Sequence, residues 1–132
     1  LLAELEHELA RYRGRVLAFE PDGESFSQYF FVGAPHFADS GLKSEVAEAI
    51  AARLKQPLEN CRECDAAANW LWIPRAQVES LDDIGSIATV KGQPLCPAHG
   101  AKQLCAAFSA VSEANLMYVN APYGDAGAYL WI

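Results

Sequence analysis

The sequence predicts an α+β fold. It has an α-β-β-α first half, and a second half made of a cross-linked β-hairpin and a helix, the two halves sharing one antiparallel sheet. Three observations carry this reading. Apolar residues recur at helical spacing in three stretches. Short runs rich in Val, Ile, Phe, Tyr and Trp lie between Gly- and Pro-containing turns. Two pairs of metal-ligating residue types share one spacing, Cys61 with Cys64 and Cys96 with His99. The chain has 132 residues, 52% hydrophobic and 20% charged, so a packed core is feasible and disorder is not expected. We read residues 1–132 as a single compact domain, with halves 1–56 and 57–132 joined by the short linker at Lys55–Asn60.

Leu1, Leu5, Leu9 and Tyr12 fall on one helical face, with Glu4, Glu6, Glu8 and Arg11 on others, and Gly14 ends the helix. Val16 to Glu20 reads as a strand. Pro21-Asp22-Gly23-Glu24 is a tight turn, and Phe26 to Val32 is the returning strand. The second helix starts at an N-cap, Asp39 or Ser40. It carries Leu42, Val46, Ala49, Ile50 and Leu54 on one face and stops at Pro57.

Asn69 to Ile73 is predicted as a strand. Ser86 to Val90 is its predicted partner, across an insert from Arg75 to Gly85. Lys91-Gly92-Gln93-Pro94 reads as a turn. A third helix is expected from Pro97 to Glu113, then strands at Leu116 to Val119 and Ala128 to Ile132 around a turn-rich loop, 120–127.

The two ligand pairs point to one tetrahedral site. Zinc takes four sulfur or nitrogen donors, commonly four cysteines or three cysteines and one histidine. A C-x2-C spacing lets a tight turn bring both donors to one side. Cys61, Cys64, Cys96 and His99 are the expected ligands of one structural Zn2+ ion. Pro97 suits the first position of a helix, and that helix start directs N–H groups at the thiolates. Four protein ligands make a closed site, and closed sites are structural rather than catalytic.

Knuckle, hairpin and a second knuckle on a helix start resemble the treble-clef zinc fingers, over about residues 61–112. The resemblance is carried by "CRECDAAANWLWIP" and "GQPLCPAHGAKQLC". It implies a zinc-stapled hairpin and helix. It does not select among nucleic-acid binding, protein binding and catalysis, and the insert from Arg75 to Gly85 departs from it.

Other readings of the same residues stand beside this one. Four cysteines allow three disulfide connectivities. They also suit buried thiols, and Cys61 with Cys64 suits a redox pair. Cys105 lies at helical spacing with Ala101, Leu104, Phe108 and Val111, as a core residue would. Its alternative is to replace His99 as fourth ligand. Iron is the alternative to zinc at a sulfur-rich site.

Net charge is −7, with nine acidic and six basic side chains in residues 1–55 and eight and four in residues 56–132. Basic residues cluster only at Arg11, Arg13 and Arg15, so nucleic acid is not the expected partner. No apolar run reaches the ~18 residues of a membrane span, so no membrane association is expected. The chain opens without Met and shows no secretory leader. Earlier residues are expected to have been removed or left out, and with zinc-spaced cysteines the cytoplasm is the expected compartment.

His36 and Asp39 have the chemistry of a base and its orienting carboxylate, but no nucleophile motif accompanies them. No P-loop, GxGxxG, HExxH or internal repeat is present, and the H-x-E of a zinc deaminase is missing. The leading expectation is a zinc-binding module that binds another protein. Its contact face would draw on Tyr29, Phe31, Trp70 or Trp72, Trp131, and on Tyr123 and Asp125 in the last loop. One alternative is a small enzyme or ligand-binding domain with a pocket near His36, Asp39 and Tyr123. Another is a nucleic-acid-binding zinc finger using Arg11, Arg13, Arg15 and Arg62.

Overall fold

The computed structural model describes residues 2–20, 31–33, 44–81, 84–109, 118–119 and 130–131. The elements run α1 (Leu2–Arg11), β1 (Val16–Phe19), β2 (Phe31–Gly33), α2 (Ser44–Lys55), β3 (Trp70–Ile73), α3 (Arg75–Glu79), a 3₁₀ helix (Ile84–Thr89), β4 (Gln93–Leu95), α4 (Pro97–Ser109), β5 (Tyr118–Val119) and β6 (Leu130–Trp131). The fold is α+β. Of the expected strand Phe26–Val32, Phe31 and Val32 fall in β2, which pairs antiparallel with β1. Its earlier residues, the N-cap at Asp39 or Ser40, and the last turn of the helix expected to Glu113 lie outside the described residues.

One four-stranded sheet, in the order β2-β1-β3-β4, joins the two halves of the sequence. It is mixed rather than wholly antiparallel. β1 pairs antiparallel with β2, but β1 and β3 run parallel, with Val16 beside Trp70 and Phe19 beside Ile73. The apolar runs VLAF and WLWI fit this position. Central strands covered on both faces need no polar alternation, and every residue of both strands is buried.

The pleat divides that core in two. Val16, Ala18, Trp70 and Trp72 face one way, packing with Leu9 of α1 and with Ala101, Leu104 and Cys105 of α4. Leu17, Phe19, Leu71 and Ile73 face the other way, against Ala49, Ile50 and Leu54 of α2 and Ile87 and Val90. Helical spacing in the sequence placed Leu9, Ala49, Ile50, Leu54, Ala101, Leu104 and Cys105 on the faces they occupy.

The segment Ser86–Val90 is not a strand. Ile87 and Val90 both enter the cluster under α2, and a separation of three residues reaches one side in a 3₁₀ turn but opposite sides in a strand. The antiparallel partner of β3 is β4, with Trp70 opposite Leu95 and Trp72 opposite Gln93. Pro94 made this stretch read as a turn, since it cannot donate to a ladder. It is accommodated because β4 is an edge strand of the described sheet. The turn itself sits one step earlier, at Gly92. Its φ is +63°, and a side chain there would run into Leu71 and Ile73.

Inside the expected insert, α3 begins after Pro74 with no side-chain cap of its own. Glu20, just past β1, supplies one by accepting the Arg75 N–H through Oε2 at 2.5 Å. Asn69, just before β3, ties the first helix to the sheet. Its Nδ2 donates to the carbonyls of Tyr12 (3.1 Å) and Gly14 (2.7 Å).

Candidate metal centre

The centre follows from the β3/β4 pairing. In an antiparallel pair, the start of one strand adjoins the end of the other. The turn that leads into β3 and the residue that follows β4 therefore meet at one end of the sheet.

The first segment is a tight knuckle. The Asp65 amide donates to the Cys61 carbonyl at 3.0 Å, and the Cys61 amide to the Ala66 carbonyl at 2.7 Å. Asp65 closes the knuckle at φ 61°, a left-handed conformation that Asp adopts more readily than most residues. The knuckle is sewn to β4, since the Arg62 amide donates to the Pro94 carbonyl at 3.0 Å. In the second segment, Cys96 follows β4 directly, and Pro97 opens α4 at the position where its missing N–H is harmless. The Gly100 amide donates to the Cys96 carbonyl at 2.8 Å, and the His99 amide points at Cys96 Sγ at 3.4 Å.

Ligand atoms of Cys61, Cys64, Cys96 and His99 lie within 4.8 Å of one another. Cys64 Sγ is 3.7 Å from Cys96 Sγ. His99 Nδ1 is 3.7 Å from Cys61 Sγ and 3.2 Å from Cys96 Sγ. Zn–S bonds of about 2.3 Å and Zn–N bonds of about 2.0 Å set tetrahedral edges of roughly 3.8 Å between sulfurs and roughly 3.6 Å from sulfur to nitrogen. The spacing and the donor set both fit a tetrahedral ion. All four cysteines are free thiols in this structure, so none of the three disulfide connectivities is formed in it.

Cys61 and Cys96 are buried, His99 is half-buried, and Cys64 is exposed. Burial by itself raises the Cys61 thiol. Backbone N–H groups of Cys96 and Glu63, the Cys64 thiol and the Cys64 N–H outweigh it and bring it down to about 6. The Ala66 N–H pulls the Cys64 thiol down. Desolvation, the hydrogen bonds shared with Cys61 and Cys96, and the Cys61 charge outweigh that and leave Cys64 raised. The cluster thus surrenders one proton readily and holds the next, as like charges held this close must. A bound cation would remove that conflict, because metal ligation requires deprotonated thiols.

Cys105 is not among the converging donors. It is 6% exposed in the core shared by α1 and α4, where burial, with Glu6 nearby, pushes its thiol up to about 11. His99 is the fourth of the converging donors.

The expected contact aromatics do not hold up in the same way. Trp70 and Trp72 are 0% and 2% exposed, so neither can offer a surface. Both lie in β3, which is covered on both faces. Their outward reading assumed a hairpin with one free side. Tyr29, His36, Asp39, Tyr123 and Asp125 lie outside the described residues.

The Arg cluster is spread over separate partners, near in sequence for Arg11 and Arg13 and distant for Arg15. Arg11 pairs with Glu8 at 3.9 Å, Arg13 donates to the Ala10 carbonyl, and Arg15 donates to the carbonyls of Leu54 and Gln56 at 2.5 and 2.6 Å. Sequence reasoning also passed over Arg53. Its signal was a charged residue on the apolar stripe of α2, at spacings three and four from Ile50 and Ala49.

Fold and site together define an α+β domain with a Cys3His cluster of the kind that holds a metal ion. No protein-family model, curated protein or solved structure matches the chain. No described helix is long and apolar enough to cross a membrane.

Proposed function

We propose that this chain is a zinc-binding module of treble-clef type, whose ion is structural and which acts by binding another protein. The observation that carries the metal assignment is the convergence of three sulfurs and His99 Nδ1 from two segments on either side of the β3/β4 pair. The order of knuckle, paired strands and helix start supports the treble-clef reading, with α3 and the 3₁₀ helix inserted between the strands. Four protein donors leave no coordination position for a substrate, which supports a structural ion. The net charge of −7 favours a partner that presents a basic surface.

Metal analysis of purified protein tests the first part. We expect one zinc per chain, lost in Cys61→Ser together with a lower melting temperature. Metal retained in that variant would refute the ligand set. Cross-linking in cells followed by mass spectrometry tests the second part. A partner recovered with the native chain, but not with Cys61→Ser, is expected. Identical recovery from both would detach binding from the metal-held structure.

A further inference from the structure

On the sheet face opposite the metal cluster, Arg53 is 8% exposed. Its Nε donates to the Val90 carbonyl at 2.6 Å and its Nη2 to the Lys91 carbonyl at 3.1 Å. These bonds hold α2 to the segment leading into β4. The third nitrogen, Nη1, is buried with no acceptor. Neither ion pair among the described residues, Arg11 with Glu8 or Arg75 with Glu79, supplies a counter-charge. Burial, with Arg15 nearby, pushes the Arg53 pKa down, as expected for a cation without a compensating anion. A buried guanidinium is costly unless its charge and its donors are matched.

Arg53 also forms part of the wall of a cavity of about 420 Å³. That volume lies in the range of small-molecule sites, which pair apolar walls with a few polar groups. Leu58, Leu71, Val90 and Pro94 provide the apolar wall. The charged lining residues are Arg53, Lys91 and Glu59. Among the described lining residues two cations stand against one anion, and Arg15 lies near Arg53, which favours an anionic headgroup. The apolar wall favours an organic anion over phosphate.

We propose that this cavity binds a small organic monocarboxylate, its headgroup held by Arg53 and Lys91 and its short apolar tail by Leu58, Val90 and Pro94. The carboxylate supplies the counter-charge that Arg53 lacks among the described residues. This site is separate from the metal cluster and does not depend on it for its chemistry.

Butanoate is the probe. The zinc-loaded full chain is titrated with it while amide resonances are followed, with chloride and inorganic phosphate as comparisons. Saturable shifts at Lys91 and Gly92 are expected with butanoate only. Lys91 is exposed, so Lys91→Gln leaves the fold intact and should weaken binding about tenfold or more, at unchanged zinc content. Arg53→Lys keeps the charge but loses the fork, and should weaken binding further. The proposal is overturned if butanoate gives no saturable shift at Gly92. It is equally overturned if both variants bind as the native chain does, or if phosphate matches butanoate.

Discussion

Gly100 lies flat against the indole of Trp70. A Cβ on Gly100 would overlap the ring at several atoms, among them Cδ1 at 2.8 Å. This contact seats the first turn of α4, which carries His99, directly on β3. The absence of a side chain at one position thus sets how closely the helix that carries His99 approaches the sheet.

Gly100→Ala is therefore expected to destabilise the protein by about 1–3 kcal/mol, as overpacking in a close-packed interior does. The helix gain from Ala over Gly, about 1 kcal/mol, works against this and will not offset it where backbone meets a buried ring. Thermal melting and zinc content of the variant check the prediction. A lowered midpoint is expected, with faster loss of zinc to a chelator.

Removing ligands should separate His99 from Cys105. His99→Ala is expected to lower zinc occupancy sharply. Cys105→Ala should keep one zinc per chain and lose roughly 1 kcal/mol from the small cavity it leaves. Metal analysis with urea unfolding of both variants decides the matter. Zinc lost from the Cys105 variant instead would reassign the fourth ligand.

The Cys105 thiol, pushed up to about 11 by burial and by Glu6, should be neutral and slow to alkylate at pH 8 in the zinc-loaded protein. Its folded value is raised above the ordinary one. The stability it contributes is therefore complete below about pH 8.5 and is lost as pH rises toward 11. Subtracting the melting profile of Cys105→Ala from that of the native chain between pH 8 and 11 should reveal this loss. A flat difference would refute the burial argument.

Acid should release the ion. Protons compete with metal for thiolates and imidazole, so zinc affinity falls with pH. The Cys61 thiol, held down to about 6, gives up its proton more easily than an ordinary thiol. Retention is accordingly expected at neutral pH, with release growing only below about 6, because a bound ion holds the thiolate below its metal-free value. A zinc-sensitive dye read across pH 4.5–8 follows the transition.

Asn69→Ala should cost about 1–3 kcal/mol, since it strands the carbonyls of Tyr12 and Gly14 that Asn69 Nδ2 now satisfies. Urea unfolding with an unchanged slope is the expected signature, reporting lost stability without a change in compactness.

How much of this was legible beforehand depends on whether the physics was local. Cys61, Cys64, Cys96 and His99 could be read because ligand spacing is a property of two short turns. Ala49, Ile50, Leu54, Ala101 and Leu104 could be read because helical period fixes a face. The parallel contact of β1 with β3 could not be read in that way, because it joins residues more than fifty positions apart. The exposure of Trp70 and Trp72 depended on that same contact. The stretch Ser86–Val90 has strand-like residue types, yet the floor beneath α2 selects a 3₁₀ turn that delivers Ile87 and Val90 to one side. Arg53 was hidden for a related reason. A charge on an apolar stripe becomes informative only once the carbonyls of Val90 and Lys91 are seen around it.

Both ends of the segment between Cys61 and Cys96 are pinned at one point. That makes the intervening chain a lobe, closed at its neck. Loop-closure entropy grows only slowly with length, roughly 0.6 kcal/mol per doubling. Extra residues introduced after Ser80, at an exposed position far from the neck in sequence, should therefore be carried at little cost, whereas a single deletion within the Cys61–Ala66 turn should not. The Cys61–Ala66 turn, rather than the chain just after Ser80, is where the length of this segment is constrained.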